Sequence, residues 1–177
     1  MEAVSPATFD DVPELARLVN SAYRGEAAKK GWTHEADLIE GDLRTDENTL
    51  HQLLSNQHST ILKYTGSNDI TGCVYLEKQG RHLYLGMLSV APDAQGRGIG
   101  KRLLVAAEKF AQLNGCIAID MTVISERKEL IAWYARNGYI DTGIRKPFHT
   151  DTRFGIPRRH VEFLVMRKSV VAVQHAE

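Results

Sequence analysis

Only two cysteines occur in 177 residues, Cys73 and Cys116, far apart and without CxxC spacing. That gives no basis for a disulfide framework or a paired-cysteine redox or metal motif. Both are expected as reduced, packed thiols, since neither has a neighbouring histidine or basic motif to activate it as a nucleophile. The seven histidines are scattered without ligand spacing, so no metal site is expected. Net charge is missing too. Lys plus Arg number 22, as do Asp plus Glu, leaving no overall positive field to draw the chain to nucleic acid or an anionic membrane. No apolar run approaches the ~20 residues that cross a bilayer, and the start, MEAVSPATFDD, is acidic with no long apolar core. A soluble, cytoplasmic protein with no nucleic-acid or membrane partner is expected. Repeats and low-complexity blocks are also lacking, and the length suits one domain burying roughly 70% of its unfolded surface. That domain is expected over residues 1–177, with 169–177 as a frayed tail.

What the chain does have is a glycine loop, VAPDAQGRGIGKR, over residues 90–102. Gly96, Gly98 and Gly100 alternate, so the backbone can turn tightly and bring its N–H groups against a ligand. Ile99, Leu103, Ala106, Ala107, Phe110 and Leu113 follow at helical spacing, so the loop opens a helix whose N-terminus also favours an anion. Arg97, Lys101 and Arg102 add positive charge suited to phosphate oxygens. Two familiar phosphate loops do not fit. A Walker A loop needs glycine at position 95, which is Gln95, and Ser or Thr at 102, which is Arg102. The dinucleotide fingerprint GxGxxG fails because the spacing here is GxGxG.

Periodicity places a short strand at 2–5. A helix follows from Asp11 to about Gly25, opened by an Asp11/Glu14 capping box with Pro13 in its first turn. Residues 31–47 are polar and mostly acidic, with a helical candidate at 34–40, and a further helix is expected at 49–54. Strand-like runs at 60–64, 70–77 and 82–90 read as an antiparallel meander. After the glycine-loop helix come a buried strand at 118–124, a helix at 126–137 stopped by Gly138, and strands at 139–142 and 160–167. Residues 145–159 read as an extended loop. The order is that of a mixed α+β fold.

Gln95-Gly96-Arg97-Gly98-Ile99-Gly100 resembles the Q/R-x-x-G-x-G/A signature of the GNAT superfamily of N-acetyltransferases. IAWYARNGYIDTG, residues 131–143, resembles that family's late helix, tyrosine and following strand. The resemblance covers about residues 4–168. It implies a mostly antiparallel mixed sheet of about six or seven strands flanked by about four helices, and acetyl-CoA as the donor. It places the pyrophosphate on the backbone of Gln95, Gly96, Arg97, Gly98, Ile99 and Gly100, with Arg97, Lys101 and Arg102 available to the phosphates. Leu88, Ser89 and Val90 would line the pantetheine arm. Tyr134 stands at the family's tyrosine, where a phenol with a pKa of about 10 can protonate the leaving thiolate; the alternative is an aromatic that packs on the core face of its helix. Arg127 replaces the Asn that the family often carries seven residues before this tyrosine, substituting a charged contact. No carboxylate occurs in the run Tyr84-Leu85-Gly86-Met87-Leu88, so Glu77, Glu40, His34 and Glu35 are the candidates for a base, or else water. Glu77 and Glu40 are taken forward.

Acyl transfer to an amine needs such a donor anchor, acid and base together. The acceptor is expected to be a small molecule with an amine and an anionic group, such as an amino acid. A cluster comprising Glu35, Asp37, Glu40, Asp42, Asp46 and Glu47 could attract the amine. Arg145, Lys146, Arg153, Arg158 and Arg159, around Phe148 and Phe154, could hold the anion. A protein N-terminus or lysine as acceptor, or a non-catalytic acyl-CoA sensing module, are the other functions such a chain could serve. A homodimer is expected by analogy with the family.

Overall fold

The computed structural model describes residues 3–148, 151–171 and 173. Seven strands form one sheet in the order β1-β3-β4-β5-β6-β9-β7. They are β1 (Ala3–Pro6), β3 (Ser59–Thr65), β4 (Ile70–Gln79), β5 (His82–Val90), β6 (Ala118–Ile124), β7 (Ile140–Pro147) and β9 (Glu162–Ser169). Every neighbouring pair is antiparallel except β5 and β6. Two very short strands, β2 (Ile39–Glu40) and β8 (Ile156–Pro157), make a separate antiparallel ribbon. The helices are α1 (Val12–Tyr23), the single turn α2 (Gly25–Ala28), α3 (Glu47–Ser55), α4 (Ile99–Leu113) and α5 (Lys128–Arg136).

Helices cover both faces because β3 and β4 are apolar on both. Val74 and Leu76 point to the layer of α4 and α5, with Leu103, Ala107 and Tyr134. Cys73 and Tyr75 point the other way, with Leu15, Val19 and Leu50 of α1 and α3. Burial on both faces is what near-continuous apolar strands require. Both cysteines are free and buried, and desolvation pushes the Cys73 thiol up to about 12, so it stays a neutral core group.

β5 breaks the period-2 rule at one place. Leu83 and Leu85 face the α4 side, but Met87 lies with the α1 cluster, and Leu88 and Val90 return to the α4 side. The register with β4 slips there, and Met87 has φ 54°, the only positive φ among described non-glycine residues. This is a β-bulge, which reaims the strand beyond it. Pairing of β5 with β6 covers only 82–84 against 118–120. Past that point the two parallel strands diverge, and a hollow opens between them.

Several boundaries differ from the sequence-based expectation. Thr8, not Asp11, heads the first helical segment: the Asp11 carboxylate accepts from the Thr8 N–H at 2.7 Å and pairs with Lys63, while Glu14 accepts from the Ile70 N–H. The helix expected at 34–40 is one turn only, closed by the Leu38 and Ile39 N–H groups on the Glu35 carbonyl, before the chain extends into β2. The strand expected at 139–142 runs on to Pro147. The chain stays packed as far as Val170, which is buried with its N–H on the Ile117 carbonyl. Of the expected tail, residues 172 and 174–177 lie outside the described residues, as do residue 2 of the first strand and 149–150 of the late loop. Among the described residues no helix is long and apolar enough to cross a membrane.

Candidate active site

Two hollows meet at the divergence of β5 and β6. The first is a groove lined by Leu88 and Val90 of β5, the glycine loop, and Trp133, Tyr134 and Arg136 of α5. The second lies between Tyr84 to Leu88 of β5 and Met121 to Ile124 of β6, with Tyr23, Arg24, Glu35 and Arg44 also on its walls. Tyr23, Leu88, Arg127, Leu130 and Tyr134 line both.

The groove is built for an anion. Gly96 and Gly98 have φ of 80° and 79°, a left-handed conformation that L side chains rarely adopt. Gly98 heads α4, so the first N–H groups of the helix face the loop. Gly100 differs: a Cβ there would sit 3.3 Å from the Trp133 ring, a tight approach that the ring would have to ease. The Gln95 side chain accepts from the Trp32 N–H at 3.0 Å and donates to Thr33 Oγ1 and the Val90 carbonyl, tying the segment after α2 to the loop. These features fit a pyrophosphate in the groove, with Lys101, Arg136 and, at the junction, Arg127 as the cations on its walls.

The other basic residues of the loop are turned elsewhere. Arg97 is exposed and donates to the Asp93 carbonyl at 3.2 Å. Arg102 donates to the Tyr64 hydroxyl and lies over its ring. Ile99 is buried in the core beneath the loop, and Ser89 is buried with its hydroxyl on the Met87 carbonyl, so Leu88 and Val90 are what β5 presents to the groove.

Tyr134 is buried at the junction, edge-on to Trp133 and Tyr139. Desolvation raises its pKa well above 10, the phenolic value. The hydroxyl of Tyr23, pushed up to about 12 by desolvation, donates to the Leu88 carbonyl at the bulge. Both phenols are therefore protonated through the neutral range. Sequence periodicity places Tyr23 only on the apolar stripe of α1 and does not reveal this role.

The carboxylates taken forward as bases lie away from both hollows. Glu77 accepts from the Tyr75 hydroxyl at 2.7 Å on β4. Glu40 is exposed on the ribbon and pairs with Arg158. The carboxylate inside is Glu35, buried between Arg24 and Arg127. Arg127 also donates to the Thr33 carbonyl at 2.7 Å, which holds it at the junction rather than in the loop.

The two segments expected to shape the acceptor site do meet, next to Arg24 of the second hollow. β2 pairs with β8, Arg158 bonds back to the Leu38 and Ala36 carbonyls, and Arg24 donates to the Phe154 carbonyl. Their surface charges are taken up locally: Arg145 pairs with Asp141, Arg153 with Asp151, and Arg159 with Glu126. Asp46 caps α3.

A sequence model described as the acetyltransferase (GNAT) family matches residues 15–139. Mycothiol acetyltransferase of Paenarthrobacter aurescens is 35% identical over 66 residues, covering 36% of this chain and only 20% of that protein. The uncharacterized N-acetyltransferase YhfO of Bacillus subtilis is 31% identical over 109 residues, 58% of this chain and 73% of that one. Among solved structures, the ribosomal-protein-S18-alanine N-acetyltransferase of Escherichia coli superposes with a TM-score of 0.73 at 15% identity, covering 100% and 99% of the two chains. The PaiA N-acetyltransferase of Thermoplasma acidophilum in complex with coenzyme A gives 0.67 at 17% identity, over 96% and 99%.

Proposed function

The chain belongs to the GNAT acetyltransferase family and uses acetyl-CoA, and from that premise we propose that it acetylates the primary amine of a small molecule by direct attack in a ternary complex. The observation that carries this is the second hollow. At about 300 Å³ it lies at the small end of the range for ligand sites, has walls at Ile124, Phe148 and Phe163 that pack with Ile39 of β2, and opens onto the donor groove at Tyr134. A small amine fits a hollow of that volume better than a folded protein surface does.

When bound, acetyl-CoA supplies the thioester acyl group. The chain's own residues then divide the work. The glycine loop, Lys101 and Arg136 anchor the donor phosphates. Leu88 and Val90 present the edge of β5 that β6 has released, whose main-chain N–H groups are the donors for an acyl oxygen as it gains charge. Tyr134 keeps its proton for the departing thiolate, and the proton that the attacking nitrogen loses restores the phenol. No free carboxylate is needed at the amine: Arg24, Arg44 and Arg127 face the single charge of Glu35, and that excess of positive charge disfavours an ammonium and favours the neutral nucleophile. The test is release of coenzyme A thiol across a panel of small amines and short peptides. Turnover is expected with small amines; acetylation confined to peptides would overturn the proposal.

A further inference from the structure

Resting on the small-amine function above, we propose that Arg44 binds a carboxylate of the acceptor, so that the substrates are amines that also carry a carboxylate. The charge in the second hollow is unbalanced. Arg24 and Arg127 are both committed to Glu35, with Arg24 only 2% and Arg127 9% exposed at their side chains. Arg44 lines the same hollow but has no ion-pair partner among the described residues; its guanidinium carbon lies 5.8 Å from the centre of the Tyr23 ring. The basic residues of the late loop, by contrast, sit outside this hollow, and Arg145, Arg153, Arg158 and Arg159 are paired to neighbouring carboxylates.

Arg44 is also placed rather than loose. Asn20 of α1 accepts from the N–H groups of Arg44 and Thr45, at 2.6 and 3.0 Å, and donates to the Thr45 carbonyl at 3.1 Å. With the backbone clamped and the side chain stacked on Tyr23, the guanidinium is pre-set at the wall of the hollow, and little freedom remains to be lost when a ligand arrives. A guanidinium with free N–H groups offers a planar carboxylate two parallel hydrogen bonds. Such an anion would also relieve Arg24, whose pKa is lowered first by burial and further by the charge of Arg44, against the pull of Glu35.

The experiment has two arms, each run on wild type, Arg44→Gln and Arg44→Lys. In the first, turnover is compared between glycine, β-alanine and γ-aminobutyrate and their carboxamides, which vary the distance from amine to carboxylate. In the second, which needs no turnover, the coenzyme A-loaded protein is titrated calorimetrically with the N-acetyl derivatives of the same acids and amides. At least one acid is expected to bind about 10-fold or more tightly than its amide, a factor typical of one well-made charged contact. Arg44→Gln should erase that ratio with coenzyme A affinity unchanged, and Arg44→Lys should keep part of it. Equal binding of acid and amide, no binding of any acid, or a ratio that survives in Arg44→Gln overturns the proposal. Turnover without discrimination would sink the carboxylate anchor and leave the small-amine function standing. Discrimination without turnover would do the reverse.

Discussion

At the scale of single residues, the junction is governed by phenols rather than carboxylates. Tyr134 is desolvated and its pKa stands well above 10. Because the neutral form is the one that donates, the raised pKa would keep the proposed acid loaded through the neutral range. Tyr134→Phe is expected to lower kcat by roughly 10²–10⁴-fold, the usual worth of a general acid, with acetyl-CoA affinity by calorimetry unchanged. A variant with wild-type kcat would make the tyrosine a packing residue beside Trp133 and Tyr139. The place of Tyr134 at the junction was legible from its motif; that of Arg44 was not, because it stands inside a stretch dominated by Asp and Glu and only the fold turns it inward. Glu35 was legible as an acid but not as the one that goes inside, since burial between Arg24 and Arg127 is a product of tertiary pairing.

At the scale of elements, the ribbon of β2 and β8 backs the proposed acceptor hollow, since Ile39 packs with Ile124, Phe148 and Phe163 of its wall. Gly155, next to β8, has φ 123°, and a Cβ there would come within 2.3 Å of Ile39 Cγ2 and 3.1 Å of Arg24 Nη2. Gly155→Ala must therefore push the ribbon apart and disturb the Arg24 contact with the Phe154 carbonyl. The acceptor KM is expected to rise by about 10-fold or more, the scale of one lost charged contact, while the acetyl-CoA KM holds because the groove over 95–101 is untouched. Steady-state kinetics with each substrate varied in turn would show the split, and a parallel rise in both values would place the ribbon outside the acceptor site. None of this could be read from the chain. Two-residue strands have no period, Ile39 and Pro157 pair across more than a hundred residues, and Glu35, Leu38 and Ile39 fall at the 3-4 spacing of a helix that makes a single turn. The meander, α4, β6 and α5 were legible because each is long enough for its period to show. The bulge left a trace as well: Leu83 and Leu85 keep one phase of alternation and Leu88 and Val90 the other, and such a switch is what an extra residue produces.

At the scale of the whole molecule, opening a site between β5 and β6 weakens the sheet at its middle. β1, β3, β4 and β5 form one half and β6, β9 and β7 the other, and strand pairing between the halves covers only three residue pairs, 82–84 with 118–120. Asp120 of β6 stitches this closed end, accepting from Arg167 of β9 and lying 2.7 Å from His82 Nδ1 of β5. Burial alone would raise its pKa, but hydrogen bonds and charge from Arg167 and His82 outweigh that and hold it below the ordinary value of 3.8. A carboxyl depressed in the folded state adds stability above its unfolded pKa and loses it as pH falls through the folded value. Asp120→Asn should therefore lower Tm near pH 7, by roughly 2–4 °C for each kcal/mol lost in a chain of this size. The gap from wild type should then close as the pH is taken from about 4 toward 2, where wild type loses the same contribution. Thermal melts of both proteins across that range test it. A constant gap would mean that Asn disturbs packing alone, and no gap at pH 7 would mean that the halves are held together by the α4 and α5 layer rather than by the charge stitch across β5, β6 and β9.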